Sequence, residues 1–379
     1  MSKRVAIIGT RGYPSYYGGF ETAVRHVAPA LADAGWDVTV YGRPGQERVD
    51  DPSLDARITR RTTRGLESRS LSTLTYGLTA VLDAIRRRPD VALVMNCANG
   101  HWLPLLKLAG IPTVVNVDGI EWERAKWGRL AKAVFKTGAR MTAWTADRLV
   151  FDADAIGTYW RREFERDGVV IPYGGTEAPA LPLHPEDAHL AGTPFALVVA
   201  RFVPENTVPE FLVAAERIAQ QHPVVIVGSS GYGGELDEHA RLLAEAHPNV
   251  HWLGHVADDE RLFALWQHAG AYFHGHSVGG TNPALVQAMH LGAPMVARDT
   301  VYNREVLART DATFVQPDPD AIADAVLALL GGPAEQRRLG RAVQERAREH
   351  YTWRAVCAAY ERALAEQAGV PAGLMRVAA

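Results

Sequence analysis

What is missing narrows the possibilities first. The chain has only two cysteines, Cys97 and Cys357, each in apolar surroundings. Two isolated thiols make neither a disulfide framework nor a metal-ligand spacing, and they suit a reducing cytoplasm. No run approaches the ~20 consecutive apolar residues of a membrane-spanning helix. The sequence enters an apolar strand directly after Met-Ser-Lys-Arg, so no secretory leader is expected and the expected location is cytoplasmic. Short-period repeats and low-complexity tracts are absent too. Neither sign of charge dominates, the net value being −3, but residues 1–173 carry +6 and the remainder −9. That asymmetry directs the first half alone towards a polyanionic partner.

The first glycine-rich turn also lacks something. Gly9-Thr-Arg-Gly-Tyr-Pro-Ser-Tyr-Tyr-Gly-Gly-Phe-Glu21 has no G-x-G-x-x-G spacing, and Arg43 rather than a carboxylate follows the second strand. A nicotinamide-dependent enzyme is therefore disfavoured. Gly18 and Gly19 stand directly before a helix, where they either let the backbone approach a phosphate or sugar or serve a loop that needs positive φ.

What is present is an α/β alternation. Arg4–Gly9, Asp37–Gly42, Val91–Met95 and Thr113–Val117 read as buried strands, and 20–34 as a helix with Phe20, Val24, Val27 and Leu31 on one stripe. Around Ile171-Pro-Tyr-Gly-Gly175 the pattern stops, and four prolines between 179 and 194 read as a linker. A second series then runs from Phe195 to His274. At 379 residues the chain exceeds one core. The expected organisation is a Rossmann-like domain over 1–172, a linker over 173–194, a second Rossmann-like domain over 195–350, and a C-terminal helical segment, 351–379, packing back towards the first. Both sheets should be parallel and doubly wound, facing a cleft.

The richest segment is His274-Gly-His-Ser-Val-Gly-Gly-Thr-Asn-Pro283. A strand leads through Gly279, Gly280 and Thr281 to Asn282, a good N-cap, with Pro283 at the first helical position. A helix start reached through glycines is suited to an anion. Arg201, in the loop after Phe195–Ala200, can take a diphosphate in the same domain. Asp118-Gly-Ile-Glu-Trp-Glu-Arg124 follows the Thr113–Val117 strand. Asp118 and Glu121 either orient sugar hydroxyls, with Arg124 on the same side, or form a capping box. His274 and His276 lack a third ligand, so no metal is assigned, and His274 is either a ligand-facing or a structural histidine. Lys126, Arg129, Lys132, Lys136 and Arg140 recur at helical spacing, with Trp127, Leu130 and Val134 on the other side. Such a helix either lies on an anionic bilayer or packs on the sheet as an ordinary surface helix.

Taken together, Gly18-Gly-Phe-Glu21, Val115-Asn-Val-Asp-Gly-Ile-Glu-Trp122, Ala200-Arg-Phe-Val-Pro-Glu-Asn206 and His274–Pro283 resemble the retaining family 4 glycosyltransferases of the GT-B fold over essentially the whole chain. The wording is closer to the bacterial rhamnosyltransferase-like branch of cell-wall and capsular polysaccharide synthesis. The resemblance implies a metal-independent hexosyltransferase without a cofactor, its donor a nucleotide sugar such as dTDP-rhamnose or a UDP-sugar. The implied acceptor is a glycan or a polyprenyl-diphosphate-linked sugar, with peripheral membrane contact and no nucleic acid. It also implies that Gly18, Gly19, Arg201, Asn206, His274, Gly279–Asn282 and Gln287 surround the donor and that Asp118 and Asp152 orient the acceptor. There are two departures from the family: Asn206 stands where a lysine is usual, and the paired glutamates separated by seven residues fall on Gly279 and Gln287. Asn206 and Gln287 leave a catalytically silent sugar-nucleotide-binding partner as one alternative; a nucleotide-sugar 2-epimerase of the same fold is another, disfavoured by the basic helix.

Overall fold

The computed structural model describes residues 3–16, 18–45, 51, 53–66, 72–124 and 128–373. The chain folds as two compact units, Met1–Gly174 with Trp353–Ala379, and Gly175–Thr352.

Unit 1 carries seven parallel strands: β1 (Lys3–Ile8), β2 (Trp36–Gly42), β3 (Thr59–Thr62), β4 (Val91–Met95), β5 (Thr113–Asn116), β6 (Arg148–Phe151) and β7 (Val169–Val170). Their order is β3-β2-β1-β4-β5-β6-β7. The central strands are apolar on both faces, Val91 to Met95 being buried throughout, as a parallel sheet covered by helices demands. Helix Gly19–Asp33 buries Ala23, Val24, Val27, Ala28 and Leu31, the stripe that its 3.6-residue spacing sets against the sheet. The C-terminal helix Trp353–Ala368 belongs to this unit. Tyr360 Oη accepts from Asn116 Nδ2 at 2.7 Å, and the buried Glu361 carboxylate takes the Trp36 indole N–H at 3.2 Å.

Unit 2 carries β8 (Ala196–Val199), β9 (Val224–Val227), β10 (Val250–Gly254), β11 (Ala271–His274), β12 (Met295–Arg298) and β13 (Thr313–Val315), all parallel, in the order β10-β9-β8-β11-β12-β13. The proline-rich stretch that reads as a linker is built onto this unit. Gly175 pairs with Thr352, the Gln267 amide bonds the main chain at Pro179 and Leu181, and Leu190 is in the core.

In both sheets the chain reverses its direction of travel once, between β1 and β4 and between β8 and β11. Loops leaving the carboxyl ends of strands flanking such a switch point diverge and leave a crevice for a ligand. The conspicuous sequence motifs leave these strands: Gly9–Gly19 follows β1, Arg201–Asn206 follows β8, and Gly275–Asn282 follows β11.

Candidate functional site

In unit 2 the loops after β8 and β11 are stitched together. Thr207 Oγ1 donates to Gly275 O at 2.6 Å, and Ser277 donates to Glu205 O through both its backbone N–H, at 3.0 Å, and its hydroxyl, at 2.7 Å. The approach requires glycine at 275, because a Cβ there would lie 2.4 Å from Asn206 O. Thr207 holds φ at +56°, a costly conformation for a β-branched residue, fixed by its bond to Gly275 and by Arg298 Nη1 at 2.9 Å. Asn303 Nδ2 ties His276 O to Arg298 O, both at 2.9 Å. Arg201 extends from this platform exposed, with no carboxylate partner among the described residues.

The other residues expected around a donor divide by what their side chains already do. Asn282 caps helix Pro283–His290, its Oδ1 accepting from Ala284 N at 2.9 Å. Gly279 has φ +98°, so a glutamate at this position would be strained whatever room it had. Thr281 is buried beside it. Asn206 is buried with its amide closing the loop onto Arg201 O at 2.9 Å, so it braces the arginine from behind instead of facing a ligand. Gln287 is committed to the main chain of Thr176, accepting from its N–H at 2.9 Å and donating to its C=O at 2.7 Å. His274 is fully enclosed, its Nδ1 3.1 Å from Tyr272 Oη and its ring stacked on His276 at 4.5 Å. Burial, then the neighbouring His276, holds its pKa well below the ordinary value, which makes it a neutral strut under the loop.

Sequence reasoning passed over two features at this end of the sheet. Arg298 closes β12 as Arg201 follows β8, and the apolar run Met295-Val-Ala that stops at an arginine was the signal. The loop Gly228-Ser-Ser-Gly-Tyr-Gly-Gly234 after β9 runs into helix Glu235–Ala246. Asp237 anchors it by accepting from Ser230 N at 3.0 Å and Gly234 N at 2.9 Å. A Cβ on Gly228 would meet Ala200 O at 1.8 Å, so this loop too is held against the one after β8. Beside it, Tyr232 and Trp252 flank an open depression of about 460 Å³.

In unit 1 the carboxyl ends of β4 and β5 carry Asn96 and Asp118, both with positive φ, 72° and 64°, linked by Asn96 Nδ2 to Asp118 Oδ2 at 3.2 Å. Asp118 does not cap a helix: the short 3-10 turn Glu121–Glu123 starts from Ile120 with no side-chain cap, so the capping-box alternative is set aside. Glu121 is buried, and its Oε1 lies 2.5 Å from Arg124 Nε, so the two neutralise each other. Asp152 is buried at the end of β6. Burial raises the pKa of the Tyr173 hydroxyl first, and the negative charges of Asp118, Asp152 and Glu21 raise it further. Glu21 itself accepts from Arg11 N at 3.0 Å, which pins the first loop to helix Gly19–Asp33. Gly18 has φ −170°, ordinary extended backbone, so the need for positive φ is not why glycine stands there. A Cβ at that position would make only a loose contact, 3.5 Å from Glu21 Oε2. Among the described residues no group of three His, Cys, Asp or Glu side chains converges as a metal site.

Helix Arg129–Thr145 departs from its sequence reading. Its packed face is Gly138, Ala139, Thr142 and Ala143, because Gly138 sits against the Cys97–Trp102 turn; a Cβ on Gly100 would lie 2.1 Å from Gly138 O. Leu130 therefore lies on the open side, 81% exposed, on one stripe with Trp144, 74% exposed, Arg129 and Arg140. Lys132 and Lys136 are half-buried, and Lys136 pairs with Glu163 at 3.1 Å, so the five basic residues are not one solvent face. Lys126 and Trp127 lie outside the described residues. No helix among the described residues is long and apolar enough to cross a membrane.

Known proteins share this architecture. Among solved structures, sucrose-phosphate synthase from Thermosynechococcus elongatus superposes with a TM-score of 0.76 at 20% identity, over 96% of this chain and 98% of that one. Anabaena HepE in complex with UDP-glucose gives 0.73 at 14% identity over 96% and 99%. A glycosyltransferase from Rickettsia africae gives 0.71 at 12% over 96% and 98%. No curated protein matches in sequence. Residues 183–346 match the model of glycosyl transferases group 1, and residues 18–174 that of the glycosyl transferase 4-like domain. With a matching family model on each Rossmann-like unit, the chain belongs to the glycosyltransferases of the GT-B fold.

Proposed function

We propose that the chain transfers a hexose from a nucleotide sugar to a hydroxyl of a glycan or polyprenyl-diphosphate-linked sugar, with retention of anomeric configuration and without a metal ion. The observation that carries this reading is the stitched pair of loops after β8 and β11. They present the uncompensated Arg201 and the glycine-led helix start at Gly280–Asn282 from one rigid platform. Such a platform meets the main electrostatic demand of the reaction, the charge that grows on a departing diphosphate. Arg298, bonded to Thr207 in the same platform, supplies a second guanidinium where Asn206 lacks the usual lysine. Two cations and backbone N–H groups then do what a divalent ion would otherwise do. The bond between the anomeric carbon and the diphosphate oxygen breaks, the bond to the acceptor oxygen forms on the same face, and the acceptor proton passes to the departing diphosphate. No enzymic nucleophile takes part.

The donor is a UDP- or dTDP-sugar. HepE, a structural neighbour, was solved with UDP-glucose, and the motif wording of the rhamnosyltransferase-like branch favours dTDP-rhamnose. On the acceptor side, Asp118 and Asp152 orient the hydroxyl. The exposed Leu130 and Trp144 beside Arg129 and Arg140 suit a peripheral seat on an anionic membrane, where a lipid-linked acceptor of bacterial surface polysaccharide would be met.

Replacing Arg201 with Ala tests the assignment. Losing one transition-state hydrogen-bond donor of this kind costs about 10²–10³ in kcat. The exposed side chain should leave the melting temperature unchanged. A variant with near wild-type turnover would overturn the role of Arg201. Tight nucleotide binding without turnover in the wild type would favour the silent partner, a reading that Asn206 and Gln287, both committed to backbone bonds, also support.

A further inference from the structure

Unit 2 holds a second cavity at the opposite end of its sheet. Its volume is about 600 Å³, and Pro194, Gly270 and Pro294, which lead into β8, β11 and β12, line it. About 13 Å of strand, four residues at ~3.3 Å each, separates this end from the donor loops. The volume lies within the roughly 300–1,000 Å³ typical of small-molecule sites.

The lining has no Asp or Glu. It does have Arg337 and Arg341, one turn apart on helix Pro333–His350, both exposed and neither in an ion pair among the described residues. The contrast on the same helix is sharp: Arg338 pairs with Glu335 at 2.6 Å and Asp311 at 3.0 Å, and Arg348 pairs with Glu177 at 3.2 Å. The two guanidiniums, free of ion pairs, belong to one helix face, with Arg341 Nε donating to Arg337 O at 3.2 Å. The wall they stand on is firm, because a Cβ on Gly340 would lie 2.5 Å from Gly292 O, so helix and turn are in backbone contact.

A simpler account is that the arginines only offset the negative ends of helices Asp259–His268 and Pro283–His290, which reach the cavity at His268, Ala269 and Leu291. Each helix end is worth about half an elementary charge. Two ends therefore cancel roughly one of the two positive charges, and about one remains without a partner. The polar groups around it divide into those already used and those still open. Gln267 and His268 are bound to the 179–181 main chain, and Gln344 Nε2 donates to His290 O at 2.9 Å. Among the described residues the Thr193 hydroxyl and the Gln344 side-chain oxygen have no hydrogen-bond partner, and both residues line the same space.

We propose that this cavity is a second binding site, distinct from the donor loops, for a small polar ligand with one phosphate monoester gripped by Arg337 and Arg341. Two guanidiniums on one helix face match a phosphate's oxygens, and the surrounding hydroxyl and amide suit the hydroxyls of an attached sugar. A site so placed reports the supply of a sugar phosphate without competing for the donor loops. It stands whether or not the transfer reaction is as proposed above.

Hydrogen exchange on the full chain with millimolar glucose 6-phosphate as the probe tests it, with glucose as the uncharged control. The expected result is slowed exchange over 333–344, none with glucose, and at least tenfold weaker binding in R337Q/R341Q, with UDP binding at the donor loops unchanged. Unchanged UDP binding also shows that the variant is folded. Protection confined to 200–207 and 275–285, protection that survives R337Q/R341Q, or no protection at all would each overturn the proposal.

Discussion

Changing Gly275 to Ala tests whether the loops after β8 and β11 act as one platform. The added Cβ would lie 2.4 Å from Asn206 O, 2.9 Å from the Phe273 ring and 3.0 Å from Thr207 Cβ. Ordinary contact needs about 1 Å more from the Asn206 carbonyl, which is main chain and cannot swing aside. The loop is held from behind by the Asn206 amide on Arg201 O and from the front by Ser277 on Glu205 O, so the displacement passes to Arg201. It also stretches the 2.6 Å bond from Thr207 Oγ1 to Gly275 O. Overpacking of this kind costs about 1–3 kcal/mol, and the lost hydrogen bond about 1 more. For a unit of this size that lowers Tm by roughly 4–16 °C. A 1 Å misplacement of a charge-stabilising group can cost about 10²-fold in rate. Calorimetry and donor-dependent kcat/KM read the two effects together. A G275A protein with wild-type Tm and kcat/KM would refute the view that these loops are in contact and that the contact positions Arg201.

Three other variants probe separate parts of the account. Q287A removes two hydrogen bonds to Thr176, so it should cost about 2 kcal/mol and lower Tm by several degrees while donor KM changes less than about threefold; a raised KM at unchanged Tm would put Gln287 back among the donor contacts. His26, stacked on Trp353 at 4.0 Å, has its pKa lowered to about 4, first by burial and then by Arg25. The folded state therefore resists protonation between pH 6.5 and about 4 while the unfolded state takes up the proton. Stability falls as pH drops through that window, by roughly 3 kcal/mol at its foot, and H26Q should flatten the slope; identical slopes would contradict it. R129E/R140E should weaken binding to phosphatidylserine vesicles at least about 30-fold, at about 1 kcal/mol per arginine, and unchanged pelleting would remove the membrane seat.

Strands such as Val91-Ala-Leu-Val-Met95 are legible because burial on both faces leaves an uninterrupted apolar run. Thr59-Arg-Arg-Thr62 is not legible: it is an edge strand, largely exposed, and nothing in its composition marks it. Two-residue β7 is below what periodicity can register. Helix Arg129–Thr145 shows a different limit, since apolar spacing assigned Leu130 to the packed face while the glycine contact between Gly100 and Gly138 turned it outwards. Arg201 was found because it follows a readable strand at a carboxyl end. Arg298 obeys the same rule, but the strand that it ends, Met295–Arg298, shows only a three-residue apolar run before the arginine. Asn206 and Gln287 were recognisable as hydrogen-bonding residues, but their partners were not. Gln287 bonds Thr176 across 111 residues, a pairing that only the folded chain reveals.

The most direct measurement is acceptor-dependent nucleotide release by the purified full chain, with dTDP-rhamnose, UDP-glucose, UDP-GlcNAc and GDP-mannose offered in turn alongside a lipid-linked GlcNAc acceptor. The account predicts release from one donor, only when acceptor is present, without added metal and with the anomeric configuration retained in the product. Silence across the panel from a protein that is nonetheless stabilised by one of the nucleotides would contradict a transferase and leave a sugar-nucleotide-binding partner.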